Sequence, residues 1–224
     1  LKKRIEPLEL KALDAQKNHW ERVFSQNPDM LGTDASQTGR YAAKLFKSEG
    51  VKDVLELGGG QGRDSVYLAR RGFMVTTLEY TESGAEAISA KAKSQELEGR
   101  LKVVRHDVRE PLPFEDATFD ACYSHMLLCM AMTSEQLEGL MGEVRRVLRP
   151  GGLMVYTARN TKDAHYRAGI HRGEDMYESG GFIVHFFSRE KVDEMAKGFE
   201  VVEMGEFEEG ALPRRLYRVT MRKR

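Results

Sequence analysis

Residues 52–72, KDVLELGGGQGRDSVYLARRG, constrain the fold of this chain more than any other stretch. A short apolar run, KDVLEL, reads as a buried strand and leads into a loop with glycine at positions 58, 59, 60 and 62. RDSVYLARRG then reads as a helix, stopped by Gly72. Strand, glycine turn and helix in that order open a parallel sheet flanked by helices. Glycines there let the backbone come close to a ligand, and the helix that follows presents unpaired N–H groups to an anion.

The alternation continues along the chain. FMVTTLEY (73–80) reads as a second strand, and the Ala-, Glu- and Lys-rich stretch 83–99 as a helix ended by Gly99. Third and fourth strands begin at LKVVRHD (101) and FDACYSHM (119). Thr133 or Ser134 caps a helix whose Leu137, Leu140, Met141, Val144 and Leu148 fall on one face. Pro150, Gly151 and Gly152 end it and hand over to a fifth strand, GLMVYTA (152–158). A helix over FSREKVDEMAKGF, a strand over FEVVEMGEF and an alternating strand over RRLYRVTMRK follow. The pattern predicts an α/β fold, doubly wound, with a seven-stranded and mostly parallel sheet and helices on both faces. Near the amino terminus, LELKALDAQKNHWERVF forms an amphipathic helix with Leu10, Leu13, Trp20 and Phe24 as packing residues, and a second helix covers DASQTGRYAAKLF.

Composition excludes some partners. The 35 basic and 35 acidic side chains cancel, so no bulk field favours nucleic acid or an anionic membrane. A length of 224 residues with 41% hydrophobic side chains suits one globular domain. No apolar run approaches the roughly 20 residues of a membrane helix, and LKKRIEPLELK is too charged to open a secretory signal. Cys122 and Cys129, close together, fit a reducing cytoplasm, where both stay buried and reduced.

The glycine loop alone leaves two readings. A phosphate-binding Walker loop needs Lys-Ser/Thr after its last glycine, and Arg63-Asp64 stands there. A dinucleotide fingerprint comes closer, because Gly60, Gly62 and Ser65 approximate Gly-x-Gly-x-x-Gly/Ala. The strand ends narrow the choice. Glu79 closes the second strand at the distance where a carboxylate accepts ribose hydroxyls. Asp107 follows the third strand, placed to accept from an adenine amino group, with the Val108 backbone beside it. The fourth delivers Tyr123, Ser124 and His125 to the same edge, so four strand ends converge on one nucleoside.

With Glu56, Gly58, Gly60 and Gly62 matching acidic-x-Gly-x-Gly-x-Gly, Glu79 and Asp107 as the next two strand-end acids, FDACYSHMLLCM, and LRPGG before the fifth strand, residues 50–158 resemble the class I S-adenosylmethionine-dependent methyltransferases. GGGQGRDSVYLARRGFMVT is also similar to the tellurite-resistance and thiopurine type of small-molecule methyltransferase. The resemblance implies a Rossmann-like sheet, S-adenosyl-L-methionine as cofactor and S-adenosyl-L-homocysteine as product. It implies cofactor contacts from Glu56, Gly58, Gly60, Gln61, Gly62, Arg63, Glu79, Tyr80, Asp107, Val108 and Ser124. Glu56 orients the loop or binds the cofactor ammonium; Arg63 pairs with its carboxylate or lies on the helix surface. On this reading residues 1–49 are a helical cap, 50–158 the cofactor-binding core, 159–187 a substrate lid and 188–224 the closing helix and strands of a single domain. An NAD-dependent oxidoreductase and a non-catalytic S-adenosylmethionine-binding regulator stay open as alternatives, as does a macromolecular acceptor.

Methyl transfer from a sulfonium is an in-line displacement, in which alignment is the main task. A hydroxyl or amine acceptor must also lose a proton, and His125 is the candidate base or substrate contact. The segment from 158 to 187 holds His165, His171 and His185, and a connection that long is usually functional. Tyr123, Arg159, His165 and His171 are the candidate substrate residues. The spacing of His165, His171 and His185 matches no strong ligand pattern, so no metal is expected. Met126, Met130 and Met132 are packing residues or a pliable wall. The expected partner is a small-molecule acceptor, with no nucleic acid or membrane, for a cytoplasmic monomer or homodimer.

Overall fold

The computed structural model of the protein describes residues 7–210 and 214–224. Five strands, β1 (Asp53–Leu57), β2 (Met74–Glu79), β3 (Leu101–Arg105), β4 (Phe119–His125) and β5 (Leu148–Arg159), run parallel. Three short strands follow, β6 (Ile170–His171), β7 (Met176–Ser179) and β8 (Phe182–His185), which form a small antiparallel sheet of their own. β9 (Phe199–Glu209) and β10 (Arg214–Lys223) complete the main seven-stranded sheet, ordered β3-β2-β1-β4-β5-β10-β9, with β10 antiparallel to both neighbours. The predicted sheet is thus present, and its order reverses between β1 and β4, where open α/β sheets take their ligands.

The central strands β1, β4 and β5 are largely buried because both faces of the sheet are covered there, whereas the edge strand β3 is partly exposed. Val54 packs with α2 (Gln37–Ser48), α3 (Arg63–Arg70) and α4 (Glu82–Ser94), whereas Leu55 and Leu57 join the opposite layer with α5 (Ser134–Val147) and α6 (Arg189–Met195). Burying each such leucine contributes roughly 1.5–3 kcal/mol. α5 starts at a capping box: Thr133 Oγ1 accepts the Gln136 N–H at 3.1 Å, and Gln136 Oε1 accepts the Thr133 N–H at 2.9 Å. Leu137, Leu140, Met141 and Val144 form its buried stripe.

Two expectations need correction. The fifth strand starts at Leu148, four residues before the expected Gly152: Leu148 pairs with Phe119, the chain bulges, and pairing resumes at Leu153 opposite Ala121. Gly151, at φ +75°, takes the turn inside that bulge. In α1 (Pro7–Gln26) the packed stripe is Leu13, Gln16, Trp20 and Phe24, and Leu10 is exposed. The polar Gln16 is buried because its side-chain amide bonds to the β7–β8 turn, donating to Gly181 O at 2.9 Å and accepting from Ile183 N at 3.2 Å. Trp20 meets Phe182 beside it, ring centroids 4.8 Å apart. Cys122 and Cys129 are buried and free, and burial pushes the Cys129 thiol up to about 11. No helix among the described residues is long and apolar enough to cross a membrane.

Candidate active site

The glycine loop is held from below. Gly58 and Gly60 have φ of +72° and +57°, and a Cβ on Gly60 would lie 2.8 Å from Leu31 Cδ1, so the turn needs glycine for backbone and for space. Glu79, at the end of β2, accepts the Gly60 N–H on Oε2 at 2.8 Å. Its Oε1 accepts from Thr81 N and Oγ1 at 2.9 and 2.7 Å. Glu56 on β1 lies beneath the loop and accepts the Ser65 hydroxyl. Burial, reinforced by the Asp64 and Glu79 charges against the Ser65 hydrogen bond, pushes its carboxyl up to about 7.

A cleft of about 330 Å³ opens over the carboxyl ends of the strands, within the size range of small-molecule sites. One end is lined by Gly58, Gly60, Glu79, Tyr80, Asp107 and Val108. Burial raises the Tyr80 hydroxyl, and the Glu79 and Asp107 charges add to this. Asp107 is gripped by Arg109, whose Nε lies 3.1 Å from Oδ1 and Nη2 2.8 Å from Oδ2. Burial works against the Asp107 carboxylate, but these bonds win and hold it below its ordinary range.

The other end carries His125, Arg63, Arg159, His165, Glu209 and Arg214. Thr157 Oγ1 lies 3.0 Å from His125 Nδ1, and His125 Nε2 lies 3.2 Å from Glu209 Oε2. Arg63 donates to Leu31 O at 3.0 Å and brings Nη2 within 3.8 Å of Glu209 Oε1. Burial pushes the Glu209 carboxyl up, but the His125 contact and the Arg63 and Arg214 charges hold it below the usual range. Arg159 is buried and paired with Asp163, its Nε 3.0 Å from Oδ2, and its Nη2 lies 2.8 Å from His165 Nδ1. The apolar walls are Met126, Leu127 and Met130, with Trp20 and Phe24 of α1 and Phe182 of the β7–β8 hairpin.

Several expected site residues lie elsewhere. Glu56 does not line the cleft, which favours the loop-orienting reading over an ammonium contact. Gln61 turns away to donate to Asn27 O at 2.9 Å, and Gly62, at φ +86°, serves as the turn into α3. Tyr123 is buried in the layer under α2 and α3, where its hydroxyl donates to Asp64 Oδ2 at 2.7 Å. Strand alternation puts Tyr123 and His125 on one face, and only His125, at the end of the strand, reaches the cleft, whereas Tyr123 two residues earlier is buried. Ser124 is buried, with Leu57 O 3.4 Å from its Oγ. His171 is exposed against Tyr177, and its Nε2 lies 2.8 Å from Glu174 O. Glu209, Arg214 and Arg109 were not foreseen. The first two come from strands at the far edge of the sheet, and the run HDVRE held the only signal for the third. Among the described residues no His, Cys, Asp and Glu group could hold a metal ion.

Residues 54–152 match the model of a methyltransferase domain. The chain is 30% identical over 174 residues to 24-methylenesterol C-methyltransferase 2 of Oryza sativa subsp. japonica, an alignment covering 70% of this chain and 46% of the rice protein. It spans about half the length of the curated relatives it matches. The 1,6-didemethyltoxoflavin-N1-methyltransferase of Burkholderia thailandensis, solved with 1,6-didemethyltoxoflavin and S-adenosylhomocysteine bound, shares the fold at TM-score 0.76 and 19% identity, over 99% of this chain and 92% of that one. TehB from Haemophilus influenzae does so at TM-score 0.67 and 18% identity, over 92% and 67%. Residues 54–152 are thus a methyltransferase domain, and with the fold and glycine loop around it the chain is similar to the class I S-adenosylmethionine-dependent methyltransferases. That domain sets aside the nicotinamide reading left open by the glycine spacing.

The strand-end half of the cleft fits the family's cofactor. It combines a loop without side chains, two carboxylates, and the faces of Tyr80 and Val108 in one concave surface, which is the chemistry a nucleoside requires.

Proposed function

We propose that the protein transfers the methyl group of S-adenosyl-L-methionine to a small-molecule acceptor. The observation that carries this reading is the continuity of the cleft, from the Gly58–Gly60 loop and Asp107 at one end to His125 and Glu209 at the other. Gly58 and Gly60 leave room for the cofactor's backbone-facing atoms, and Glu79 and Asp107 receive its hydroxyl and amino groups. Tyr80 and Val108 cover the base, and Arg63 answers the carboxylate. When bound, the cofactor supplies an electrophilic methyl on a positively charged sulfur that leaves as a neutral thioether. The chain's contribution is alignment, holding an acceptor on the far side of that methyl.

The acceptor end suits a compact, partly apolar molecule. Met126, Leu127, Met130 and Phe182 would cover its body, and Arg159 and His165 would meet a polar edge. α1 and the residues 159–187 would close over it as a lid and exclude water, a reading supported by Gln16, which bridges the two. Isothermal titration with S-adenosylmethionine, with NAD run in parallel, tests the proposal. Saturable binding of S-adenosylmethionine alone is expected, followed by product formation in a screen of amines, hydroxylated rings, thiols and hydroxy acids. Binding of NAD alone would overturn it, and tight binding without transfer would leave a regulatory protein.

A further inference from the structure

Among the described residues three carboxylates line the cleft: those of Glu79, Asp107 and Glu209. Two are already engaged. Glu79 accepts from Gly60 and Thr81, and Asp107 is forked by Arg109. Glu209 differs: among the described residues no backbone N–H reaches its carboxylate, a fifth of the side chain is open, and Oε2 is buried against His125. Its neighbours are His125 Nε2 at 3.2 Å and Arg63 Nη2 at 3.8 Å from its other oxygen.

The proton on His125 follows from the group behind it. Thr157 Oγ1 is fully buried and accepts the Met126 N–H at 2.9 Å. The one hydroxyl proton of Thr157 then has His125 Nδ1, 3.0 Å away, as its acceptor. The reverse assignment, with Nδ1 donating, would leave that buried proton unbonded. Neutral His125 is therefore protonated on Nε2, facing Glu209, and has no lone pair to offer an acceptor. The carboxylate oxygen left open at this end is Glu209 Oε1, which Arg63 approaches only to 3.8 Å.

We infer that Thr157 and His125 position Glu209 as the group that receives an N–H or O–H of the methyl acceptor, so that the acceptor class is an uncharged, proton-bearing nitrogen or oxygen compound. Arg63 and Arg214 already balance the Glu209 charge, and a cationic acceptor would meet them at close range. This rests on the methyltransferase reading above. In the reaction the acceptor's lone pair forms the bond to the methyl carbon, the sulfur–carbon bond breaks with its electron pair kept by sulfur, and the acceptor's proton passes to Glu209. His125 and Thr157 act through Glu209 as positioning residues.

The tautomer is read without cofactor or acceptor, by nitrogen-15 NMR of the imidazoles in the unliganded protein. The expected spectrum shows His125 with Nε2 protonated and Nδ1 bare. Thr157→Val should mix the two forms and Thr157→Ser should restore the first. A dominant Nδ1-protonated His125 in the wild type, or no change in Thr157→Val, overturns the assignment. The acceptor class is probed with phenol against anisole, which lacks the donor, and benzoate, followed by the His125 and Met methyl resonances. Phenol should bind about ten-fold more tightly than anisole, the effect of one hydrogen bond to a charged group, and Glu209→Ala should erase the difference. Equal responses, including none, or preference for benzoate, overturn the inference. Calorimetry of the wild type with S-adenosylhomocysteine checks the underlying reading separately. No binding there would refute methyl transfer whatever the imidazole spectrum shows.

Discussion

Glu79 and Gly60 are joined by a hydrogen bond of 2.8 Å from the loop amide to the strand-end carboxylate, which fixes the glycine turn to the tip of the neighbouring strand. The other carboxylate oxygen is held by Thr81. Glu79→Ala removes both anchors and leaves a buried N–H unpaired, a loss of about 1–3 kcal/mol. S-adenosylhomocysteine affinity is expected to fall at least ten-fold by calorimetry, together with a lower urea midpoint. A variant that loses stability but binds as the wild type does would show that Glu79 serves the loop and never reaches the ribose.

Glu56 makes stability depend on pH. Its carboxyl is pushed by burial from about 4.5 up to about 7 in the folded protein. The folded state therefore holds the proton longer than the unfolded chain does. The contribution is fully present below about pH 4.5 and is lost as pH rises to about 7, on the order of 3 kcal/mol at most. Glu56→Gln keeps the neutral shape and has no such loss. Urea titrations should show the variant gaining on the wild type between pH 5 and pH 8; an equal difference at both would mean that the carboxyl titrates normally.

Tyr123 tests the division between core and cleft. Its hydroxyl and that of Ser36 each donate to Asp64 Oδ2 at 2.7 Å, tying the start of α2 to α3. Tyr123→Phe removes one of these buried bonds and should cost about 1–3 kcal/mol in chemical denaturation. S-adenosylhomocysteine binding is expected to stay within two-fold. A change in affinity with no change in stability would return Tyr123 to the site.

How much of this was legible in the sequence follows from the range of each signal. The glycine loop, Glu79 and Asp107 lie at strand ends of one continuous alternating pattern, and local periodicity is enough to find them. The Thr133 cap was readable because a capping box is local in sequence. Tyr123 and His125 carry the same strand signal, and only the turn out of β4 decides that the second reaches the cleft. Glu209 was not readable, because the alternating acids of FEVVEMGEFEE look like a solvated edge until β10 links that strand to β5. The early start of β5 hid in LRPGG, which signals a stop whether the chain bulges or ends a helix.

Gly60 and Gly50 separate backbone strain from crowding. Both have positive φ, +57° and +70°, so alanine costs each about 1 kcal/mol of conformational strain. A methyl on Gly50 would meet nothing within 4 Å, whereas on Gly60 it would lie 2.8 Å from Leu31 Cδ1. Thermal melting should show Gly60→Ala as the less stable variant. Only Gly60→Ala should weaken S-adenosylhomocysteine binding, because only that loop faces the cleft. Equal affinities in the two variants would show that the loop tolerates a side chain on its ligand side.

Gln16 fastens α1 to the β7–β8 turn with one amide group, giving a hydrogen bond to Gly181 O and taking one from Ile183 N. Both partners are backbone groups on the hairpin that supplies Phe182 to the cleft wall, so the same contact sets the wall and closes the roof. Gln16→Ala deletes both bonds, and the Ile183 amide should exchange with deuterium about ten-fold faster. Gln16→Glu keeps an acceptor for Ile183 but loses the donor to Gly181, so its exchange rate should fall between the two. If α1 and the hairpin act as a lid, S-adenosylhomocysteine should slow exchange at 181–183 in the wild type and less so in Gln16→Ala. Unchanged exchange in Gln16→Ala would mean that Trp20 stacking on Phe182 holds the hairpin without the amide. The roof would then be a fixed wall, and ligands would have to enter beside it.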